Sequence, residues 1–341
     1  MKVKSLLERF LTFCIQENFH RVLMVVGVLL LISAAAISQL EADVSFLDGL
    51  WWSVVTLTTV GYGDISPATL GGRLIAVFLM LFGIGVLGTL SATLAGFLVE
   101  KRIKEDRGMG SYDYSRHIII CGWNQRAEFI LSELREDPLN AESPIVVVAN
   151  LDAKPVDDDH VFLVRGDTTE ENFERANLRE AETVIILGED RLDESARDAK
   201  AVLTTLTVED LNPDVYTIVE LSDERNVRHC ERANANEIIV QSELNSSLIA
   251  RSALNHGISN VICELLRYNM GNELFKLKVP GSMVGKAFVD IMVEMKKRHS
   301  SILLGVQRGG EGTVLSNPPE DYQIEGDDFL IFIAPSRPQL A

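Results

Sequence analysis

The sequence predicts an all-α membrane unit followed by a cytoplasmic α/β lobe and a small α+β C-terminal lobe. Two long uncharged apolar runs, residues 22–40 and 74–99, predict the membrane unit. After residue 116, apolar strand-like runs alternate with helical patterns, which is typical of a doubly wound sheet. Charge follows the same division: residues 1–115 carry 9 Lys/Arg and 10 Asp/Glu, so most of the net charge of −17 lies beyond them.

Both apolar runs can cross a hydrocarbon core of about 30 Å as helices, and we predict helices at about 20–40 and 71–100. Basic residues precede the first run and follow the second: Lys2, Lys4, Arg9, Arg21, Lys101, Arg102, Lys104 and Arg107. Between the runs, residues 41–72 contain acids but no Lys or Arg. The positive-inside rule therefore predicts that both termini are cytoplasmic. The first run is too long for the apolar part of a cleavable signal peptide.

The segment between the two runs, residues 46–64, combines a short apolar stretch with a glycine-containing loop. Residues 46–58 are too short to span, which predicts a re-entrant pore helix. The loop that follows contains T-V-G-Y-G, which matches the loops whose carbonyl oxygens replace the hydration shell of K⁺ in potassium filters. We assign the filter to Thr59, Val60, Gly61, Tyr62 and Gly63. A ring of four loops is needed, so we expect a homotetramer.

A further expectation concerns the surroundings of this loop. Tyr62 and Asp64 are expected to brace the loop against Trp51 and Trp52 rather than to touch ions. The alternative reading, a glycine-rich external turn, accounts for neither the spacing nor the flanking helices.

The second apolar run contains three closely spaced glycines, Gly83, Gly85 and Gly88. Glycine costs about 1 kcal/mol in a helix interior relative to alanine, so the cluster predicts a gating hinge. Close helix packing through small residues is the alternative, and both can hold. Further along, Leu94, Phe97 and Leu98 are candidates for an apolar constriction at the cytoplasmic mouth.

The remaining residues divide into four segments. We predict a linker at 101–115, a Rossmann-like lobe at 116–241, a helical crossover at 242–272 and a small C-terminal lobe at 273–341. About six apolar strand runs occur in the Rossmann-like lobe, with helices at about 125–134, 170–176 and 197–211. The crossover helices carry apolar residues on one face, which suits dimerisation or packing on the sheet.

The first strand–helix turn keeps part of a dinucleotide-binding fingerprint. Residues 122–127 have the first glycine of G-x-G-x-x-G, but Asn124 and Ala127 replace the other two. The helix N-terminus would attract a diphosphate, with Arg126 adding a charge-assisted contact. Candidate nucleotide-binding residues are Gly122, Asn124, Gln125, Arg126, Asn150, Asp167 and Thr168. A structural remnant of such a site is the alternative.

Composition argues against several other classes. The acidic lobe lacks the basic footprint of a nucleic-acid-binding protein. The four cysteines are widely spaced and form no C-x-x-C pair, which suits a reducing cytosol. No catalytic base, nucleophile or substrate domain follows the Rossmann-like pattern, so an enzyme is not expected.

The order of these parts resembles prokaryotic two-transmembrane-helix potassium channels gated by RCK (regulator of conductance of K⁺) domains. The resemblance is carried by residues 58–64, 83–85, 117–126 and 165–167. It implies a two-helix potassium-channel pore in the prokaryotic inner membrane, joined to a Rossmann-like RCK domain with a small α+β lobe. RCK dimers would form a cytoplasmic gating ring whose expansion pulls on the second helix. Free RCK subunits, made from an internal start near Met109, could join the ring.

The resemblance also implies two kinds of gating ligand. Relatives bind NAD or adenine nucleotides over the first turn; Asn150 favours NAD, and ATP/ADP stays open. In calcium-gated relatives three acids bind Ca²⁺; Asp167 and Glu220 match two of them, and Ser222 stands at the third. The adjacent pair His229 and Cys230 is a weaker hint of a softer metal.

Two alternative functions stay open. One is a membrane-tethered NAD-binding sensor or oxidoreductase with a vestigial pore. The other is the regulatory subunit of a potassium transporter, which the chain's own filter disfavours.

Overall fold

The computed structural model describes residues 19–268, 271–310 and 312–338. The chain forms two compact units, Met1–Ile103 and Lys104–Ala341. Lys2, Lys4 and Arg9, which the orientation argument used, lie outside the described residues, as do the side chains of Leu94 and Phe97 from the predicted constriction.

The first unit contains three helices: α1 (Phe19–Leu40), α2 (Phe46–Leu57) and α3 (Leu70–Asp106). Both α1 and α3 are long and apolar enough to cross a membrane, whereas α2 is not. Ser45 caps α2 by accepting a hydrogen bond from the Asp48 backbone N–H (3.2 Å).

Helix α3 extends beyond its predicted end near residue 100. It continues to Asp106, so the first six residues of the predicted linker 101–115 are helical. The physical reason is that residues 101–106 include Lys, Arg and Glu, which favour helices. The first residue with a positive φ after the start of α3 is Gly108 (+69°).

Helix α2 packs closely on α1 at Gly49. A Cβ atom there would lie 2.8 Å from both the Ala34 carbonyl oxygen and Ile37 Cγ2. Around this contact the unit buries an apolar cluster of Ile37, Trp52, Leu57, Ala76 and Leu79. The short helix is thereby held against the longer ones, which positions the loop that follows it.

The second unit begins with strands that alternate with helices. These elements in chain order are β1 (Ile118–Cys121), α4 (Gln125–Glu136), β2 (Ile145–Ala149), β3 (Val161–Arg165), α5 (Glu170–Arg175), β4 (Thr183–Ile186), α6 (Glu194–Leu211), β5 (Tyr216–Leu221), α7 (Val227–Arg232) and β6 (Glu237–Val240). The strands form a six-stranded parallel sheet of order β3-β2-β1-β4-β5-β6. Apolar strands are buried on both faces by two side-chain clusters. This architecture confirms the doubly wound, Rossmann-like prediction.

Two helices and a smaller antiparallel sheet complete the second unit. These elements are α8 (Gln241–Leu254), α9 (Ile258–Leu266), β7 (Glu273–Lys278), α10 (Phe288–His299), β8 (Ile302–Arg308), β9 (Val314–Ser316) and β10 (Asp328–Ala334). The sheet order is β7-β10-β8-β9, with α10 packed on β8. The α+β lobe is as predicted, except that the exposed three-residue strand β9 carried no recognisable period.

The remainder of the predicted linker is fixed to the sheet by Arg175. Its guanidinium donates hydrogen bonds to the carbonyl oxygens of Gly108 and Gly110, the latter at 3.0 and 3.2 Å. The Tyr112 backbone N–H donates to the Arg175 carbonyl (2.8 Å), and the Tyr112 hydroxyl donates to the Leu163 carbonyl (3.0 Å). We call this set of contacts the Arg175 clamp. Residues 108–112 therefore belong to the lobe and are not a free tether.

Candidate functional site

The loop after α2 has alternating backbone handedness. Thr59, Gly61 and Gly63 have positive φ values of 61°, 56° and 76°, and they alternate with Val60 and Tyr62. A Cβ atom at Gly61 or Gly63 would meet nothing within 4 Å, so the glycines are required by φ and not by space. Val60 and Tyr62 are 54% and 68% exposed, so the loop's outer side is open in a single chain.

One tryptophan braces this loop from α2. The Trp51 indole N–H donates to an Asp64 carboxylate oxygen at 2.9 Å, and the Trp51 and Tyr62 rings stack with centroids 6.0 Å apart. The bracing predicted for Trp51 is confirmed. Trp52 instead lies in the apolar cluster, 5% exposed, and packs beneath the loop.

A second anchor, which the sequence did not predict, joins α1 to the start of α3. One carboxylate oxygen of Glu41 accepts hydrogen bonds from the backbone N–H groups of Ala68 (3.1 Å) and Thr69 (2.9 Å) and from the Thr69 hydroxyl (2.7 Å). A Cβ atom at Gly72 would collide with that oxygen. Two carboxylates, Asp64 and Glu41, therefore hold the segment that follows the filter loop. At the other end, the Val60 and Gly61 N–H groups donate to the Val55 carbonyl at the end of α2.

The three hinge candidates have different surroundings. A Cβ atom at Gly83 would lie 2.8 Å from Leu57 Cδ1, so Gly83 permits close packing of α3 on α2. At Gly85 and Gly88 a Cβ atom would meet nothing within 4 Å. Packing thus explains Gly83, and the hinge reading stays a prediction for Gly85 and Gly88.

A cavity of about 320 Å³ lies at the carboxyl ends of the central parallel strands. Five of the seven predicted nucleotide residues line it: Gly122, Asn124, Gln125, Asn150 and Asp167. Thr168 lines a separate cavity of about 20 Å³ and shares a hydrogen bond with the Thr204 hydroxyl (2.8 Å). The location agrees with the rule that such sheets bind ligands at their carboxyl edge.

The altered fingerprint has a structural explanation at the turn itself. Gly122 has φ +88°, and a Cβ atom there would approach the Leu187 carbonyl to 3.3 Å. Asn124, at the position of the second glycine, caps α4 by accepting from the Ala127 N–H (3.0 Å) and donates to the Gly188 carbonyl (3.0 Å). Its side chain therefore ties the β1–α4 turn to the loop after β4.

Arg126, for which the sequence predicts a contact to the ligand, is paired with protein groups in the structure. Its guanidinium pairs with Asp190 (2.7 Å) and Glu220 (2.9 Å), and it does not line the 320 Å³ cavity. Burial beside these two acids satisfies the charge within the protein. The cation that lines the cavity is Arg191, in the loop directly after β4. The signal that could have identified Arg191 is its position at the carboxyl end of a central strand.

The two predicted calcium ligands each contact a basic side chain. Asp167 accepts from Lys200 Nζ (3.0 Å), which also contacts Glu189. Glu220 pairs with Arg126 and accepts from the Gly188 N–H (2.9 Å). Within the part of the chain that the structure describes, no group of three or more His, Cys, Asp or Glu side chains could hold a metal ion.

The side chains of His229 and Cys230 do not lie in a common site. His229 is exposed on α7, whereas Cys230 is fully buried, and burial raises the pKa of its thiol to about 11. The two side chains thus point into different environments, which agrees with the structural reading of this pair.

Comparison with known proteins covers nearly the whole chain. Three family models match successive segments: an ion-channel family at residues 24–100, the TrkA-N domain at 118–241, and "Castor and Pollux, part of voltage-gated ion channel" at 242–340.

Curated relatives and a solved structure agree with these matches. The calcium-gated potassium channel TvoK of Thermoplasma volcanium is 31% identical over 300 residues, covering 87% of this chain and 84% of the relative. The putative potassium channel protein YugO of Bacillus subtilis is 33% identical over 322 residues, covering 92% and 95%. The human SLO3 gating ring shares the fold, with a TM-score of 0.52 and 16% identity over 64% of this chain and 44% of that one.

A two-helix pore unit joined to a TrkA-N, or RCK, domain defines an ion channel with a cytoplasmic regulatory domain. The chain belongs to the family of prokaryotic potassium channels that carry RCK domains. Members of this family are channels and not enzymes, and the two apolar helices identify a membrane protein.

Proposed function

We propose that the protein is a homotetrameric, potassium-selective channel of the prokaryotic inner membrane, gated by intracellular ligands that bind to its RCK lobe. The single observation that carries this proposal is the T-V-G-Y-G loop, which has alternating φ and is braced by the Trp51–Asp64 contact. One chain supplies one loop and a filter needs four, which supports a tetramer with the loops on its axis. Both termini and the RCK lobe would be cytoplasmic.

Ion flux into liposomes that contain the purified channel tests the pore. K⁺ should permeate and Na⁺ should be excluded. Gly61→Asp should abolish the flux, because it adds a side chain and a negative charge within the proposed filter at a position of φ +56° that glycine adopts most readily. Gly27→Ala is the matched control, since Gly27 lies in α1 with nothing within 4 Å of a Cβ atom. Equal Na⁺ and K⁺ flux, or flux through Gly61→Asp, would contradict the proposal.

For the RCK lobe we propose a dinucleotide ligand, NAD, in the 320 Å³ cavity. Asn150 can donate to or accept from a ribose hydroxyl, and Arg191 supplies a cation for the diphosphate. Three acids, Asp167, Glu189 and Asp190, also line the cavity. Because like charges across a binding site disfavour association, this lining favours NAD over the more highly charged ATP.

Titration calorimetry on the full-length channel with NAD, ADP and ATP tests this ligand. Arg191→Ala should weaken NAD binding by about tenfold, the loss of one charge-assisted contact of about 1.5 kcal/mol. Arg228→Ala, an exposed arginine on α7 away from the cavity, should leave it unchanged. Tighter binding of ATP than of NAD, or equal effects of the two substitutions, would reject the proposal.

Calcium is a second proposed ligand, supported by the calcium-gated relative TvoK and by the retained acids Asp167 and Glu220. Any Ca²⁺ at Asp167 must displace Lys200, and six to eight oxygen ligands are preferred. Lys200→Gln should therefore strengthen Ca²⁺ binding, and Asp167→Asn should weaken it, in calorimetric titrations of the full-length channel. If both variants bound Ca²⁺ as the wild type does, the ion would not bind at Asp167.

A further inference from the structure

A groove of about 500 Å³ opens on the membrane unit between α1 and α3. Its walls are apolar, formed by Val22 and Val25 on α1 and by Leu81, Phe82 and Val86 on α3. Val25, Leu81 and Phe82 are 55%, 66% and 52% exposed in the single chain, so these walls are largely uncovered. The residues that line the groove are different from the buried residues of the apolar cluster around α2.

Two lining residues determine what can occupy this groove. The hydroxyl of Thr89 donates to the Gly85 carbonyl at 2.9 Å, so its hydrogen atom is already used within α3. Arg21, at the start of α1, has no hydrogen bond or ion pair with any described residue. Among the described residues, Arg21 therefore places one positive charge without an ion-pair partner beside the apolar walls of the groove. An amphiphile with an acyl chain and an anionic head matches both properties.

We propose that this groove binds one anionic phospholipid per subunit, with an acyl chain between Val25 and Phe82 and the headgroup phosphate on Arg21. The proposal rests on the proposed orientation, which places the start of α1 in the cytoplasmic leaflet. That leaflet has a negative surface potential, and arginines near helix ends reach the headgroup region while their stems stay in the apolar layer.

Binding at this place would act on the pore through α3. Gly85 lines the groove, and a Cβ atom there would have open space around it. An acyl chain in that space would restrict bending of α3 at Gly85. Anionic lipid is thus a regulator of the same helix that the RCK lobe acts on.

Native mass spectrometry of the purified full-length channel tests the site. The channel is incubated with palmitoyl-oleoyl phosphatidylglycerol or with the corresponding phosphatidylcholine, and retained lipids are counted for the intact assembly. The wild type should retain phosphatidylglycerol preferentially. Arg21→Gln should retain about fivefold less, the effect expected when one basic side chain loses an anionic headgroup. Arg21→Lys should restore retention to within about twofold, because it keeps the charge.

A matched control and a mapping experiment decide the location. Arg102→Gln removes an exposed basic residue near the end of α3 that does not line the groove, and it should change retention by less than about twofold. Phosphatidylglycerol with a photoreactive acyl chain should label residues 81–86 in the wild type and in Arg21→Lys. Equal retention of the two lipids, equal losses in Arg21→Gln and Arg102→Gln, or labelling confined to other segments would overturn the proposal. Labelling confined to other segments would mean that a neighbouring subunit covers the groove. K⁺ flux measured on the same preparations separates failure of this site from failure of the channel proposal.

Discussion

At the scale of single residues, the filter loop depends on two side chains that lie outside it. Trp51 donates to Asp64, and Glu41 receives three hydrogen bonds from Ala68 and Thr69. Hydrogen bonds to a carboxylate are stronger than hydrogen bonds between neutral groups. The loop's own residues make few contacts within one chain, so these external anchors determine how well it keeps its shape.

Trp51→Phe should shorten the time for which the pore conducts. Phenylalanine keeps the ring next to Tyr62 but has no N–H to donate to Asp64. We expect K⁺ flux to decay faster than in the wild type, as measured in liposomes at constant K⁺. Asp64→Asn keeps an acceptor oxygen and should have the smaller effect; the opposite order would contradict the bracing role.

His117 makes stability of the cytoplasmic unit depend on pH. Its side chain is fully buried, Nε2 lies 2.9 Å from the Ala176 carbonyl, and Nδ1 has no partner among the described residues. Burial lowers the pKa of His117 below its ordinary value of 6.5. Below that pH the unfolded chain binds a proton that the folded one does not, so stability falls as the pH falls.

His117→Gln should remove this contribution, which is at most about 1.4 kcal/mol per pH unit. Thermal unfolding of the full-length protein between about pH 5 and 7.5 measures it. His256→Gln, at an exposed position, should retain the wild-type pH dependence. If the stability of His117→Gln depended on pH as steeply as that of the wild type, other groups would be the source of the pH dependence.

At the scale of elements, the main correction is that the predicted linker is part helix and part lobe. Helix α3 runs to Asp106, whose carbonyl accepts from the Lys154 backbone N–H (2.6 Å), and the Arg175 clamp follows directly. Residues 106–112 are therefore fixed within the second unit.

Arg175→Ala should separate ligand binding from gating. The cavity near Gly122 does not include Arg175, so NAD affinity should stay within about twofold of the wild type. The response of K⁺ flux to NAD should fall, because Gly108 and Gly110 lose the guanidinium that fixes them. Arg179→Ala, an exposed neighbour, is the control. Loss of NAD affinity together with the flux response would indicate general damage to the lobe.

Local sequence patterns predicted most of the elements but few of the contacts between them. Apolar runs and helical periods gave both membrane helices, the six parallel strands and the small lobe, because these depend on residues near one another in the chain. The Arg175–Gly108 contact joins residues 67 positions apart, and the Arg126–Gly188 contact joins residues 62 positions apart. No local period encodes such pairs. The sequence therefore predicted five of the residues that line the cavity near Gly122, but it did not indicate that Arg191 lines it and that Arg126 does not.

At the scale of the whole molecule, α8 and α9 expose several large apolar side chains. Leu244, Ile249, Leu254, Val261 and Leu266 are between 49% and 76% exposed. Exposed apolar surface of this kind marks an interaction site, which supports the proposed pairing of RCK lobes. Each pair would contribute to the gating ring.

Ile249→Glu with Leu254→Glu should break the pairing of RCK lobes while leaving each lobe folded. These are among the most exposed apolar residues of α8, at 70% and 76%. The substitutions should therefore change the folding free energy of a single chain very little. Cross-linking of the full-length channel in detergent should show loss of lobe pairs but retention of the pore assembly. Leu139→Glu is the control, since Leu139 is 66% exposed but lies outside α8 and α9. Equal cross-linking in both variants would place the interface elsewhere.

An internal start at Met109 would add free RCK subunits to that ring. Met109→Leu should abolish a short product detected with an antibody against the C-terminal lobe, while the full-length product remains. Such a product would lack Gly108, so its Arg175 would keep only the Gly110 carbonyl of the two it holds in the full-length chain. Persistence of the short product in Met109→Leu would show that it arises by proteolysis.

Helix α3 runs without a break from Leu70 to Asp106, so a small bend within it produces a larger displacement at its end. From Gly85 to Asp106 the helix is about 30 Å long at a rise of about 1.5 Å per residue. A bend of only about 10° at Gly85 would therefore displace the clamped end by about 5 Å, close to one helical turn. For the proposed channel, a displacement of about 5 Å at Asp106 would therefore need only a small change of angle within α3.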